Sequence, residues 1–218
     1  AANGAAKVVV GREGLLSTPA ASAVIRELGT DGGIILSASH NPGGEKGDFG
    51  IKYNIPAGGP APESITGEIY RRTQSIEQYR IVEGADIDLS AEGTRELGGM
   101  TVEVIDPVAI YAALMRRLFD FDALKALFAS GFRMQFDAMH AVTGPYARAI
   151  FDELGAAPDT VLNGTPSPDF GGGHPDPNPV WAKPLMDLMM GENAPDFGAA
   201  SDGDGDRNMI VGRGCYVS

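Results

Sequence analysis

Two short stretches combine residue types that could carry chemistry. The first is Ser37-Ala38-Ser39-His40-Asn41-Pro42-Gly43-Gly44. It offers an exposed hydroxyl nucleophile, an imidazole directly after it, and glycines that let the backbone approach an anion closely. The second is Asp202-Gly203-Asp204-Gly205-Asp206-Arg207. Three carboxylates alternating with glycine repel one another unless something positive sits among them, and hard oxygen donors of this kind suit Mg²⁺. Each stretch also admits a plainer reading: a turn in which Ser and Asn cap backbone groups, and a solvated acidic turn.

Other chemistries fit these residues badly. An EF-hand needs Gly at the sixth loop position and Glu at the twelfth, where this chain has Arg207 and Arg213. Asn41-Pro42-Gly43-Gly44-Glu45-Lys46-Gly47 lacks the spacing of a P-loop, and no G-x-S-x-G elbow surrounds Ser39. Adjacent Ser39 and His40 point in different directions on an extended backbone, so a hydrolase triad is not implied. Lys52 is by itself a weak signal, His140 and His174 read as structural, and Trp181 reads as packing.

Both stretches need strand ends to hold them. Lys7–Val10 is a β-branched run closed by Gly11. Ser17 or Thr18 then caps a helix with Pro19 in its first turn, an apolar stripe of Val24, Ile25 and Leu28, and Gly29 as its stop. The run Gly33–Leu36 delivers the serine stretch, and Ile51–Asn54 follows as a strand. A helix is expected from Glu63 to Ile76 with Ile65, Ile69 and Ile76 on one side, then poorly periodic connections and short strands over 77–100.

The alternation then repeats. A strand at Thr101–Ile105 leads through Asp106-Pro107 into a helix with Val108, Tyr111, Ala112, Met115, Leu118 and Phe119 at 3.6-residue spacing. A helix at Asp122–Ser130, a strand at Arg133–Asp137 and a helix at Gly144–Leu154, capped by Thr143 and stopped by Gly155, come next. A strand at Thr160–Leu162, a Pro- and Gly-rich loop at Asn163–Val180, and a helix at Lys183–Met190 precede the strand that enters Asp202. Two α/β units follow, with ligands at the strand ends as open α/β sheets place them.

A chain of 218 residues is long enough for two modest domains. Its net charge of −12 argues against partners that are nucleic acid or anionic membrane. The single cysteine, Cys215, excludes an intrachain disulfide and any multi-cysteine metal site. No apolar run approaches the ~18 to 20 residues of a membrane span, and the first residues lack the pattern of a signal peptide, so a cytoplasmic location is expected.

The strings S-A-S-H-N-P-G-G, G-D-F-G-I-K-Y-N, G-G-P-A-P-E, D-A-M-H-A-V-T-G-P-Y, H-P-D-P-N and D-G-D-G-D-R-N-M-I-V-G resemble the α-D-phosphohexomutase superfamily, and closely its phosphoglucomutase branch. The resemblance implies α/β architecture: two consecutive three-layer α/β/α units with mixed, largely parallel sheets, at 1–105 (domain I, with the serine loop) and 106–218 (domain II, with the metal loop). It also implies that the first unit is truncated on its N-terminal side and that domains III and IV are missing. By resemblance Ser39 is the serine that carries the phosphoryl group, and His40 and Lys52 have acid/base and charge-stabilising roles around it. Asp202, Asp204 and Asp206 with an oxygen of Ser39 are the Mg²⁺ ligands, and Ser39, Asp206 and Arg207 contact the phosphorylated hexose. Ser37 stands where many relatives have Thr.

The implied reaction interconverts glucose 1-phosphate and glucose 6-phosphate through a phosphoserine and glucose 1,6-bisphosphate, and the chain alone is expected to be inactive. Two alternatives remain. One is a phosphatase of the haloacid-dehalogenase kind with an aspartyl phosphate on Asp202; the other is a catalytically silent scaffold protein.

Overall fold

The computed structural model describes residues 1–42 and 45–217, so Gly43 and Gly44 of the serine stretch lie outside the described residues. The chain opens with β1 (Lys7–Gly11) and turns into α1 (Thr18–Leu28). Ser17 caps α1 by accepting the Ala20 N–H at 3.2 Å, and Gly29 ends it in the left-handed region at φ 60°. Ala20, Ala21, Ala23, Val24 and Ile25 form its buried face.

Next come β2 (Gly33–Leu36) and β3 (Ile51–Asn54), an antiparallel pair in which Ile35 lies opposite Lys52. Facing residues of an antiparallel pair share one side of the sheet, so Lys52 lies on the side where Ile35 is buried. Ile34, Leu36 and Ile51 occupy the other side and are exposed. This register aims Lys52 inward.

Helix α2 (Glu63–Thr73) is shorter than the expected span to Ile76, and none of its residues is buried. Ile65, Ile69 and Ile76 are all exposed, so the stripe they form is not buried. After β4 (Gly93–Leu97), β5 (Met100–Ile105) alternates buried and half-exposed residues and pairs with β1 in parallel and with β4 antiparallel. Helix α3 (Ala109–Leu118) begins after Asp106, whose carboxylate accepts the Val108 N–H at 2.8 Å. Its apolar stripe is only partly used: Ala112 is buried, whereas Leu118 and Phe119 are exposed.

The second half holds α4 (Phe121–Ala129), β6 (Met134–Asp137), α5 (Gly144–Leu154), β7 (Val161–Leu162), α6 (Lys183–Met189), β8 (Phe197–Ser201), β9 (Asn208–Gly212) and β10 (Cys215–Val217). Asp120 caps α4 through the Ala123 N–H. Thr143 does not cap α5 with its side chain as expected; its hydroxyl lies 2.6 Å from that of Ser201 instead. The five strands are ordered β10-β9-β8-β6-β7, with β8 parallel to β6 and antiparallel to β9.

The α/β class stands, and the sheets are mixed. Their parallel share is smaller than expected: β1–β5, β6–β7 and β6–β8 run parallel, against antiparallel β2–β3, β4–β5, β8–β9 and β9–β10. The difference lies in the connections: β4–β5, β8–β9 and β9–β10 are joined by short turns and β2–β3 by the longer serine-bearing loop, with no crossover helix among the described residues in any of the four, so each pair runs antiparallel. No helix of the described residues is long and apolar enough to cross a membrane.

Leu185 and Met189 of α6 are fully buried against Ala200, Met209 and Val211 of the large sheet and its loops. One helical turn separates the two side chains, which places them on one face. That packing anchors the β8–β9 hairpin. Leu185→Ala should therefore destabilise the chain by about 2 to 5 kcal/mol, whereas Leu188→Ala, on the more exposed side, should cost within roughly 0.5 kcal/mol. Thermal or urea unfolding of the two variants decides, and equal losses would refute this orientation of α6.

Candidate active site

The aspartate stretch is the connection between β8 and β9, whose last paired residues are Ser201 and Asn208. Asp202 is completely buried. Its Oδ1 accepts the N–H groups of Gly205, Asp206 and Arg207, each at 3.0 Å, so the carboxylate is the centre about which the loop is wound. Gly205 takes φ 80°, a conformation that L side chains rarely adopt. At Gly203 the reason for glycine is proximity: a Cβ there would fall 2.2 Å from the Ser39 carbonyl oxygen.

The serine stretch begins after β2 and approaches from the opposite side. Ser39 itself sits in the left-handed region at φ 60°. Ser37 supports it by accepting the Ser39 N–H on its Oγ at 2.8 Å. In this pose the Ser39 hydroxyl donates to Asp202 Oδ2 at 3.0 Å and accepts a short hydrogen bond from the Arg207 guanidinium. Arg207 Nε also lies 3.4 Å from Asp202 Oδ2 and 3.7 Å from Asp206 Oδ1.

Asp204 is held from the other direction. Its Oδ2 accepts from Lys52 Nζ at 2.7 Å, Ser37 Oγ at 2.8 Å and Thr18 Oγ1 at 2.9 Å. Lys52 Nζ is also 3.8 Å from Asp206 Oδ2. The remaining oxygen, Asp204 Oδ1, is buried and has no partner among the described residues. Among those residues, Asp202, Asp204 and Asp206 are the group whose ligating oxygens converge, all within 4.8 Å of one another. An orphaned carboxylate oxygen inside an all-oxygen donor set fits a divalent cation such as Mg²⁺.

The two inner carboxylates are tuned oppositely. Burial pushes the Asp202 carboxyl up, and the charges of Asp204 and Asp206 add to that, against the opposing backbone N–H donors and Ser39. Burial also acts upward on Asp204, but the donors Lys52, Ser37 and Thr18 outweigh it and hold its carboxyl below the ordinary range.

Ser39, Lys52, Asp202, Asp204, Asp206 and Arg207 are thus brought together. His40 is not joined to them by any hydrogen bond among the described residues. Its Nδ1 is buried without a partner among the described residues, and its ring lies 6.5 Å from that of His174, which stacks on Trp181 at 4.6 Å. Beside the two loops opens a cavity of about 490 Å³, lined by Ser39, His140, Ser167, Phe170 and Asp204 among others.

Residues 1–80 match the phosphoglucomutase/phosphomannomutase α/β/α domain I, and residues 110–214 match domain II of the same family. The chain belongs to the phosphoglucomutase/phosphomannomutase family. Over its whole length it is 60% identical to a phosphoglucomutase of Rhizobium radiobacter, covering 40% of that protein. It is 56% identical to a chloroplastic phosphoglucomutase of Arabidopsis thaliana, covering 35%. The solved structure of parafusin, an exocytosis-sensitive phosphoprotein and phosphoglucomutase from Paramecium, superposes in its open form with a TM-score of 0.92 at 46% identity, over 98% of this chain and 42% of that one. The chain therefore spans about two fifths of the length of these family members.

Sequence reasoning passed over Thr18 and Ser37 as anchors of Asp204: Thr18 reads as a helix cap and Ser37 as a mild departure from the family pattern. Their contacts with Asp204 cross 186 and 167 residues, and no local pattern signals them.

A raised carboxyl pKa means that the ionised form is disfavoured by folding, so the cost of Asp202 to stability grows as pH rises above the ordinary carboxylate pKa and is complete above the raised folded one. Below the ordinary carboxylate range Asp202 is neutral in both the folded and the unfolded chain, and that cost vanishes. Asp202→Asn keeps a side-chain acceptor for the loop N–H groups and removes the charge. In chelator, the variant should melt higher than the unsubstituted chain near pH 7, and the gap should close as pH falls below about 4. Thermal melts across that range test this, and a gap that widens on acidification would contradict it.

Proposed function

We propose that this chain carries the phosphoryl-transfer serine and the metal loop of a phosphoglucomutase, in domains spanning 1–105 and 106–218. The supporting observation is the meeting of the Ser39 hydroxyl, the Arg207 guanidinium and the Asp202 carboxylate at one point between the two loops. A phosphoryl group in transfer is anionic, so its catalysis is positioning plus cationic stabilisation. On a chain of charge −12 those cations must be local, and Lys52 and Arg207 supply them.

In this reading Ser39 Oγ bonds to the phosphorus of glucose 1,6-bisphosphate as the sugar P–O bond breaks. The serine proton passes to a base, for which His40 is the neighbouring candidate. The departing sugar oxygen takes up a proton, leaving a glucose monophosphate. Transfer of the Ser39 phosphoryl group to the free 6-hydroxyl of glucose 1-phosphate, the Oγ–P bond breaking as the sugar O–P bond forms, rebuilds glucose 1,6-bisphosphate. Removal of its 1-phosphoryl group by Ser39 after the sugar turns end for end releases glucose 6-phosphate and completes the exchange. Asp202, Asp204, Asp206 and Ser39 would hold Mg²⁺, which would neutralise charge on the transferring oxygens. Asp206 and Arg207, the exposed members of the cluster, face the side from which a phosphorylated hexose would arrive. An aspartyl-phosphate mechanism is disfavoured at Asp202, because that carboxylate is fully buried and both of its oxygens are engaged.

Prolonged incubation of the chain with Mg²⁺ and glucose 1,6-bisphosphate should place a hydroxylamine-stable phosphate on Ser39, mapped by mass spectrometry. Ser39→Ala should abolish it, and Ser37→Ala should slow it without abolishing it. A labile acyl phosphate on Asp202 would overturn the assignment.

Repeated turnover should be nearly absent from the 218-residue chain, since orienting the sugar and its distal phosphate is worth ~7 to 11 kcal/mol of barrier and the family members are more than twice as long. Following glucose 6-phosphate formation from glucose 1-phosphate checks this. Turnover at the rate of a complete phosphoglucomutase would refute it.

A further inference from the structure

Thr18 is the first residue of α1, far in sequence from either site stretch, yet it grips Asp204 twice. Its N–H donates to the Asp204 carbonyl oxygen at 2.8 Å, and its Oγ1 donates to Asp204 Oδ2 at 2.9 Å. The first N–H groups of a helix have no partner within it, and the positive end of the helix favours a carboxylate. Capping does not explain the hydroxyl, because Ser17 provides the cap and Thr18 Oγ1 points to Asp204 instead.

The consequence is an asymmetric carboxylate. Three donors from three elements, Thr18 of α1, Ser37 after β2 and Lys52 of β3, converge on Oδ2, whereas Oδ1 is buried and has no partner among the described residues. Rotating the carboxylate would bring the bare oxygen to the donors, so the donors fix which oxygen is left free to bind a cation.

We propose that Thr18 is a positioning residue for divalent-cation binding: its hydroxyl, with that of Ser37, locks Asp204 so that Oδ1 is presented as a ligand. The inference rests on the metal loop of the proposed function and adds to it a residue of α1 that lies outside that loop. Outer partners of this kind typically contribute about 10- to 100-fold to metal affinity.

The test uses Mn²⁺ alone as probe, with free ion followed by electron paramagnetic resonance in the presence of the 218-residue chain. Thr18→Val, which keeps the shape and removes the hydroxyl, should weaken Mn²⁺ binding by about 10- to 100-fold. Thr18→Ser, which keeps the hydroxyl, should bind close to the unsubstituted chain, and circular dichroism of all forms in chelator should match. Unchanged affinity in Thr18→Val would overturn the proposal, as would equal losses in Thr18→Val and Thr18→Ser. Should Thr18→Val fail to fold, Thr18→Ala decides, since it removes the same hydroxyl with a good helix former in its place: weakened binding supports the lock and unchanged binding refutes it. Asp204→Asn separates the levels. If it abolishes Mn²⁺ binding while Thr18→Val leaves the affinity unchanged, only this inference falls; if it leaves binding untouched, the metal loop falls and the inference with it.

Discussion

Crowding of like charge at the tip of the β8–β9 hairpin is the constraint to which the surrounding structure responds. Two unit charges ~4 to 5 Å apart repel by roughly 3 to 4 kcal/mol at an effective dielectric of ~20, and three carboxylates meet here within 4.8 Å. Each is compensated differently. Asp202 is wrapped by backbone N–H groups of its own loop, Asp204 takes side-chain donors from three other elements, and Asp206 remains exposed beside Lys52 and Arg207. Opposite displacement of the Asp202 and Asp204 pKa values follows from that division.

Because the compensating groups of Asp204 come from α1, β2 and β3, the same contacts that balance its charge also fix where the hairpin sits against the first half of the chain. Gly203 approaches the Ser39 carbonyl too closely for any side chain, and the Tyr146 hydroxyl of α5 accepts the Ser17 N–H at 3.1 Å. Register carries part of this work as well. A one-residue slip between β2 and β3 would turn Lys52 to the side where Ile34 and Leu36 are exposed, and the cation would be lost from the site.

What could be read from the sequence was local. Ser17, Pro19 and Gly29 bound α1 because caps and stops act within a turn or two, and the alternating carboxylates announce their repulsion whatever the fold. The serine and aspartate stretches were legible as chemistry, but their meeting was not, since it depends on contacts across more than 160 residues. Helical periodicity also overstated burial at Ile65, Ile69, Leu118 and Phe119: a stripe shows that a face could be covered, not that a partner covers it. Thr143 has the right type for a cap, yet its hydroxyl is taken by Ser201 from a strand 58 residues away.

Backbone strain gathers around the same place. Glu13, Ser39, His140 and Phe170 are non-glycine residues at positive φ, and all four line the cavity beside the two loops. Such conformations cost of order 1 to 3 kcal/mol each and persist only where the surroundings over-determine them. At Ser39 the conflict is explicit: glycine would relax the backbone but remove the hydroxyl. The loop keeps the serine because several contacts compel its pose, with the Ser39 N–H held by Ser37, the following turn closed from Asn41 N–H to the Ala38 carbonyl, and the hydroxyl fixed between Asp202 and Arg207. A hydroxyl held by these contacts has little freedom to turn away, so they also orient the oxygen that the proposed chemistry requires.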